Sequence, residues 1–196
     1  KKIYFIYDNL MKPKKFFKIK NIQALIHLAS ITDAQNSIGR KKFYQKNNLG
    51  CFKNVLKYCI LNNTKLIHIS STSIYGDQNK IVTENSKFLK PQSPYAEIKL
   101  KEEKILKKYS NKIKFISLRF GTIAGVSPGM RFHTAVNKFC LNTILNENVP
   151  VWKTALNQYR PYLSLSDAFK TFKFILENNF FKNDIFNVLS ENKTVK

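Results

Sequence analysis

The sequence has few cysteines, and their spacing is not that of a disulfide framework. The 196 residues contain three, Cys51, Cys59 and Cys140, with no Cys-x-x-Cys pair. This argues against a disulfide-stapled fold and against a zinc site. No cluster of His, Asp and Glu has metal-ligand spacing either, so we predict no metal. The three thiols are expected to be buried and reduced in a cytoplasmic protein.

Long apolar runs are also missing. A membrane-spanning helix needs about 18 or more consecutive apolar residues, and the sequence has no such run. The first residues lack the pattern of a signal peptide. The sequence therefore predicts a cytoplasmic protein without a membrane partner. Its hydrophobic fraction of 43% is enough for the core of one domain, or of one domain with a small lobe.

Acidic residues and arginine are scarce, whereas lysine is abundant. The 34 Lys and Arg outnumber the 12 Asp and Glu and give a net charge of +22, yet only four of the basic residues are arginines. Such a charge is typical of nucleic-acid binders, but here it is spread along the chain and not concentrated in arginine-aromatic clusters. We predict a solvated basic surface, including the lysine-rich run 99–108, and no specific nucleic-acid partner. A basic nucleic-acid-binding module stays an alternative.

Glycine is scarce as well. The six glycines form neither Gly-x-x-Gly-x-x-Gly nor Gly-x-Gly-x-x-Gly. The sequence therefore lacks the loop that sets a dinucleotide pyrophosphate against the N-terminus of a helix.

What the chain does contain is an alternation of strands and helices. Apolar alternation and short apolar runs predict strands at 3–7, 24–28, 65–70, 114–120, 149–152, 161–165 and 184–188. Helical periodicity predicts helices at 43–61, 94–110, 131–146 and 167–178. The first part of this order is typical of an α/β protein with a parallel sheet. Ligands bind such sheets at the carboxyl ends of the strands.

One such strand end carries the most informative residues. Residues 67–76 join a buried strand to a hydroxyl cluster that includes Ser71, and residues 93–99 begin a helix with Tyr95 and Lys99. Four residues make about one helical turn, so the phenol and the ammonium are predicted to share one helix face. A cation beside a phenol favours the phenolate and so lowers the phenol pKa toward neutrality, which suits general acid–base chemistry on an alcohol or carbonyl.

These segments resemble the extended short-chain dehydrogenase/reductases, the NAD-dependent sugar-nucleotide epimerase/dehydratase family that includes UDP-glucose 4-epimerase. Further segments in the family's order strengthen the resemblance: 24–30, 44–50, 118–125, 160–167 and 186–188. The resemblance implies an incomplete Rossmann-like parallel sheet flanked by helices in residues 1–125. A small, interwoven, truncated substrate lobe is expected in residues 126–196.

The resemblance also implies the catalytic roles. Ser71 would hydrogen-bond the reacting sugar oxygen, and Tyr95 would take the proton from the sugar hydroxyl while hydride passes to the nicotinamide. Lys99 would hold the nicotinamide ribose. Because the Gly-rich loop is missing and residues 3–8 resemble the family's third strand, we expect a fragment that binds NAD poorly as given.

The remaining sites follow from the same resemblance. The residues expected to bind the cofactor, NAD with NADP left open, are Asp8, Ala29, Ser30, Asn47, Ser70, Tyr95 and Lys99. The residues expected to bind the nucleotide-sugar substrate are Ser71, Thr72, Thr122, Arg131, Asn137 and Arg160. A homodimer is compatible with the resemblance.

Two departures from the family pattern refine the expected activity. Thr72 and Ser73 stand where the dehydratase branch carries an Asp-Glu pair, which disfavours 4,6-dehydration. Thr122 replaces a substrate-binding Asn of many epimerases, which leaves the sugar open. The leading hypothesis is an NAD-dependent epimerase or oxidoreductase of nucleotide sugars. The alternative is a non-catalytic Rossmann-like binding or regulatory protein, or an inactive fragment.

Overall fold

The computed structural model describes residues 2–34, 36–78, 81–132, 134–151, 153 and 156–194. The chain forms two compact units that interleave along the sequence. The first comprises Lys1–Arg119 and Phe180–Phe186, and the second comprises Phe120–Asn179 and Asn187–Lys196. Our sequence-based division placed the boundary after residue 125.

The first unit is built on a four-stranded sheet. Its strands, in spatial order, are β1 (Ala24–His27), β2 (Lys65–Ser71), β3 (Phe115–Phe120) and β6 (Asp184–Val188). β1 and β2 run parallel, with Leu25 opposite Leu66. All residues of β3 are buried, as expected for a central strand covered on both faces. The predicted Rossmann-like parallel sheet flanked by helices is confirmed.

Two helices pack on this sheet and on each other. They are α1 (Lys41–Leu61) and α2 (Pro94–Lys108). The main hydrophobic core joins α1 to the sheet, with Phe52 and Tyr58 fully buried beside Leu66, Leu106 and Phe115. Because two helices and the sheet share this core, the position of α2 relative to β2 is fixed by packing.

The second unit contains a smaller sheet. Its strands are β4 (Thr122–Ala124), β5 (Arg160–Ser164) and β7 (Glu191–Lys193) in the order β4-β5-β7. β5 runs parallel to β4 and antiparallel to β7. The helices of this unit are α3 (Ala135–Ile144) and α4 (Leu165–Glu177), and α4 packs on β5.

Some predicted elements differ from the structure. The strand predicted at 3–7 is wrong: the segment has no regular structure, and Phe5 is 85% exposed. A strand needs a neighbour for its hydrogen bonds, and no described strand pairs with this segment. Residues 149–151 also form no strand, and Trp152 lies outside the described residues. The segment 118–125, expected to form one strand and a turn, is divided between β3 and the short β4. The strand β7 was not predicted. Of the three thiols expected to be buried, that of Cys140 is exposed.

Candidate active site

Ser71 is the last residue of β2. It has extended backbone and caps a short 3-10 helix, Thr72–Tyr75, by accepting a hydrogen bond from the Ser73 backbone N–H at 3.2 Å. The residue is half-buried at the carboxyl end of the strand, where open α/β sheets bind ligands. Because Ser71 Oγ is the acceptor in this cap, its own proton stays available for donation.

Tyr95 and Lys99 lie on the buried side of α2. Ser93 caps this helix by accepting from the Ala96 backbone N–H at 3.2 Å, and Pro94 occupies its first position. Tyr95 is 8% and Lys99 2% exposed. Lys99 Nζ lies 5.9 Å from the centroid of the Tyr95 ring. The two side chains therefore share one face, as their spacing predicts.

The loop after β1 supports the start of α2. The Tyr95 backbone N–H donates to Ser37 Oγ at 3.3 Å, and Ser37 Oγ donates to the Ala34 carbonyl at 2.6 Å. Ser37 is fully buried. We did not single out this serine from the sequence, because no local pattern links it to a residue 58 positions away.

The first of two buried carboxylates fastens α2 to the sheet. Glu103 accepts from Ser70 Oγ at 2.6 Å and from Arg119 through Nε at 3.0 Å and Nη2 at 2.8 Å. Arg119 also donates to Tyr75 Oη at 2.7 Å. Burial alone would lower the pKa of Arg119, but its hydrogen bonds with Glu103 outweigh this and raise it. Since Ser70 precedes Ser71, Glu103 fixes the helix of Tyr95 against the strand of Ser71.

The second buried carboxylate is Glu102. Its Oε2 accepts from Lys99 Nζ at 2.9 Å and lies 3.0 Å from His68 Nε2. Burial alone would raise the pKa of Glu102, but the Lys99 charge and the His68 hydrogen bond hold it below the usual value. The other oxygen, Oε1, is buried without a hydrogen-bond partner in the described part of the chain.

The interpretation of the lysine-rich run 99–108 as the solvated face of a helix is therefore wrong for Glu102 and Glu103, whereas Lys99 lies with Tyr95 as its spacing predicts. Lys99, Glu102 and Glu103 are each at most 2% exposed. Their burial depends on partners in distant strands, so the helix sequence alone does not reveal it. The sequence does carry one signal for this buried cluster: a pair of adjacent acidic residues, three and four positions after Lys99, in a chain with few acidic residues.

The loop that follows β1 carries two of the predicted cofactor residues. Ala29 is exposed, whereas Ser30 Oγ is buried and finds no hydrogen-bond partner among the described residues. Asn48 holds the loop at Ile31 with two hydrogen bonds of 2.9 Å. Its Nδ2 donates to the Ile31 carbonyl, and its Oδ1 accepts from the Ile31 backbone N–H. Asn48 is 1% exposed, and no pattern in the sequence predicts its role.

The neighbouring Asn47 was the residue predicted on α1. It is half-buried, and its Oδ1 lies 3.7 Å from Cys51 Sγ. The predicted role of Asn47 at the cofactor stays a prediction.

Asp8, the remaining predicted cofactor residue, is exposed and holds a turn. Its Oδ2 accepts from the backbone N–H groups of Lys14, Lys15 and Phe16 at 2.9, 2.7 and 2.7 Å. These bonds, led by that of Phe16, lower the pKa of Asp8. Asp8 and Ala29 also line one open groove of about 360 Å³ in the first unit, a size compatible with part of a cofactor.

The predicted substrate-binding residues Thr122, Arg131, Asn137 and Arg160 belong to the second unit. Thr122 opens β4 and is half-buried, while Arg131 is exposed. Asn137 is 5% exposed and donates to the Arg131 carbonyl at 3.1 Å. Arg160 opens β5 and donates to Gln158 Oε1. Their substrate roles, and that of Thr72 in the first unit, stay predictions.

Within the described part of the chain, no helix combines the length and apolarity that crossing a membrane requires. Among the same residues, no three His, Cys, Asp or Glu side chains are grouped so that they could hold a metal ion.

Comparison with known proteins gives a family match over most of the chain. Residues 4–188 match the model of the NAD dependent epimerase/dehydratase family. A relative in Bacillus subtilis, an uncharacterized UDP-glucose epimerase, is 29% identical over 70% of this chain and 45% of its own length. The ADP-L-glycero-D-manno-heptose-6-epimerase of Brachyspira hyodysenteriae is 27% identical over 91% of this chain and 57% of its own length.

Solved structures show the same fold. A UDP-glucuronic acid 4-epimerase from Bacillus cereus, solved as a mutant with NAD and a UDP-sugar, superposes with a TM-score of 0.85 at 24% identity. It covers 97% of this chain, and this chain covers 61% of it. A UDP-N-acetylglucosamine 4-epimerase from Methanobrevibacter ruminantium superposes with a TM-score of 0.84 at 23% identity. The superposition covers 97% of this chain and 62% of that epimerase. The chain thus spans about half the length of the relatives it matches in sequence.

Proposed function

The chain belongs to the NAD dependent epimerase/dehydratase family, and from that premise we propose that it catalyses NAD-dependent epimerisation or oxidoreduction at a hydroxyl of a nucleotide sugar. One observation supports this function most strongly. The buried face of α2 carries Tyr95 and Lys99, and Glu103 ties that helix to Ser70, the neighbour of Ser71. A hydroxyl, a phenol and an ammonium are the groups that proton transfer to and from a sugar hydroxyl requires.

The residues present suit the nicotinamide half of NAD. The buried Ser30 Oγ lacks a partner among the described residues, lies three residues after the end of β1 and is free to bond a ligand. Ala29, Ser30, Tyr95 and Lys99 would hold this half. For the pyrophosphate the sequence offers no Gly-rich loop. When bound, NAD would supply a hydride acceptor that returns the hydride to the sugar carbon.

The chain's own groups would handle the proton and the sugar oxygen. Ser71 would donate its hydroxyl proton in a hydrogen bond to the reacting oxygen. The Tyr95 phenolate oxygen would receive the proton of the sugar hydroxyl, and the resulting phenol would give it back in the reverse step. Lys99 would keep a positive charge beside the phenol while this proton moves.

Two hydroxyls in the same segment favour epimerisation over dehydration. Loss of water from a sugar needs an acid and a base near the leaving hydroxyl, and carboxyl groups serve this purpose well. Thr72 and Ser73 follow Ser71 directly and carry no carboxyl group.

Replacement of Tyr95 by Phe tests this function. The purified chain is incubated with NAD and, separately, UDP-glucose, UDP-N-acetylglucosamine, UDP-glucuronic acid and an ADP-heptose, and the products are separated by chromatography. Tyr95→Phe removes only the phenol oxygen, so we expect kcat to fall about 10²- to 10⁴-fold with KM nearly unchanged. Tyr109→Phe, at the exposed end of the same helix, should keep the wild-type rate. Full turnover by Tyr95→Phe would refute the assignment.

A dinucleotide-binding role without turnover is the second candidate. The open groove lined by Asp8 and Ala29 favours it, because none of the proposed catalytic side chains lines that groove. Saturable NAD binding by a chain that converts none of the nucleotide sugars would support this role over catalysis.

A further inference from the structure

Lys99 carries its charge where water cannot solvate it. The residue is 2% exposed, and its ammonium would be unstable there without an opposite charge. Glu102, three residues further along α2 and 1% exposed, supplies that charge at 2.9 Å. The side chain of Lys99 is therefore held from its own helix.

His68 in turn fixes the Glu102 carboxylate. Burial lowers the pKa of His68, so its ring is neutral and has one N–H. An ionised carboxylate only accepts hydrogen bonds, so the proton is assigned to Nε2, which donates to Glu102 at 3.0 Å. Nδ1 then accepts from Ser117 Oγ at 2.8 Å. A continuous set of hydrogen bonds thus runs from β3 through β2 to the ammonium on α2.

We propose that Glu102, held by His68, is a positioning residue that fixes the Lys99 ammonium beside Tyr95. This inference rests on the proposed function, because the position of Lys99 affects a rate only if Tyr95 transfers the proton. The distances favour this role: Glu102 Oε2 bonds Lys99 directly, while the Lys99 nitrogen lies 5.9 Å from the Tyr95 ring centroid. The adjacent Glu103 is equally buried but bonds Ser70 and Arg119 instead.

The contact can be tested without any activity. In ¹H–¹⁵N spectra selective for lysine ammonium groups, the buried Lys99 should give a signal that Lys99→Met identifies by its loss. Glu102→Gln keeps the shape but removes the charge, so we expect that signal to shift or broaden. Glu97→Gln is the matched control: it removes the same charge from the same helix, and its carboxylate pairs with Lys41 at 2.7 Å. It should leave the Lys99 signal unchanged.

The effect on catalysis is measured on the same variants. Because a displaced catalytic group lowers the rate more than substrate binding, Glu102→Gln should lower kcat by about 10- to 100-fold with KM nearly unchanged. Glu97→Gln should change neither constant. A wild-type Lys99 signal in Glu102→Gln, or an unchanged kcat in an active protein, would overturn the proposal.

One outcome separates this inference from the function on which it rests. If the wild-type chain has no turnover but its Lys99 signal responds to Glu102→Gln, the contact stands and the proposed function fails.

If Glu102→Gln does not fold, His68→Phe gives a second test, because it removes one of the two donors to Glu102. The Lys99 signal should then shift, and an unchanged signal would overturn the proposal.

Discussion

At the scale of single residues, the inward face of α2 is unusual because it buries ionised groups together with apolar ones. Glu103 is satisfied by three hydrogen bonds, two of them from the Arg119 guanidinium. A planar guanidinium matches a carboxylate with two donors at once, which lysine cannot do. Removing one partner of such a pair leaves the other charge buried and uncompensated.

Arg119→Met should therefore be strongly destabilising. We expect the free energy of unfolding to fall by about 3–5 kcal/mol, the usual cost of breaking a buried ion pair from one side. Urea denaturation followed by circular dichroism measures this loss. Lys41→Met, which breaks the exposed Lys41–Glu97 pair in the same unit, should cost at most about 1 kcal/mol. Equal losses for both variants would contradict the account.

The sequence predicted single residues well where local spacing decides their position. Tyr95 and Lys99 share a face because they are one helical turn apart, and Ser93 caps their helix as its type and position predict. Glu102 could not be predicted to be buried, because its partner His68 lies 34 residues away in a strand. Asn48 was missed for the same reason, since its bonds to Ile31 span 17 residues.

At the scale of elements, the turn after the 3-10 helix Thr72–Tyr75 depends on one glycine. Gly76 has a φ of +65°, and a Cβ built there would lie 1.9 Å from the Lys90 carbonyl oxygen. Both the left-handed backbone and the close approach exclude a side chain. Lys90, in the loop before α2, is thus held close to the end of that 3-10 helix, and its backbone N–H donates to the Tyr75 carbonyl at 3.3 Å.

Gly76→Ala should destabilise the first unit by more than the roughly 1–3 kcal/mol of backbone strain alone, because a backbone atom must also move. Gly129→Ala is the matched control, since nothing lies within 4 Å of its added Cβ and its φ is not positive. Thermal unfolding of both variants distinguishes them. A native-like unfolding temperature for Gly76→Ala would show that the turn tolerates a side chain.

The long helix α1 and the buried strands of the four-stranded sheet were predicted correctly, whereas two exposed segments whose structure depends on the presence of a paired strand were not. The strands at 65–70 and 184–188 and the helix at 43–61 agree closely with β2, β6 and α1. Residues 3–7 have the alternation of a strand but no described strand beside them, so they stay exposed. β7 has three exposed residues, and only pairing with β5 makes it a strand.

At the scale of the whole molecule, buried histidines link folding to pH. Burial, helped by the nearby Lys99 charge, lowers the pKa of His27 from 6.5 to about 3. Burial lowers the pKa of His68 as well. The unfolded chain therefore binds more protons than the folded one between pH 6.5 and about 3. The contribution of the neutral histidines to the free energy of unfolding is therefore fully present above this pH window, and it is lost as the pH falls through the window.

At one pH unit below 6.5, the unfolded chain is protonated at His27 and the folded chain is not. This difference alone should lower the free energy of unfolding by about 1.4 kcal/mol relative to neutral pH. Urea denaturation at about pH 7.5 and about pH 5.5 measures the difference. In His27→Gln this part of the pH dependence should disappear. Equal stability of the wild-type chain at both pH values would show that the folded state accommodates a charged His27.

In the proposed reaction, hydride transfer oxidises or inverts a sugar carbon while Tyr95 moves only the hydroxyl proton. The most direct test is to run the reaction in D₂O with NAD and a nucleotide sugar, and to read deuterium at the inverted carbon by ¹H NMR. Hydride transfer predicts an epimer without deuterium at that carbon, because the hydrogen never exchanges with solvent. Deuterium at the inverted carbon would mean proton abstraction from carbon and would contradict the mechanism.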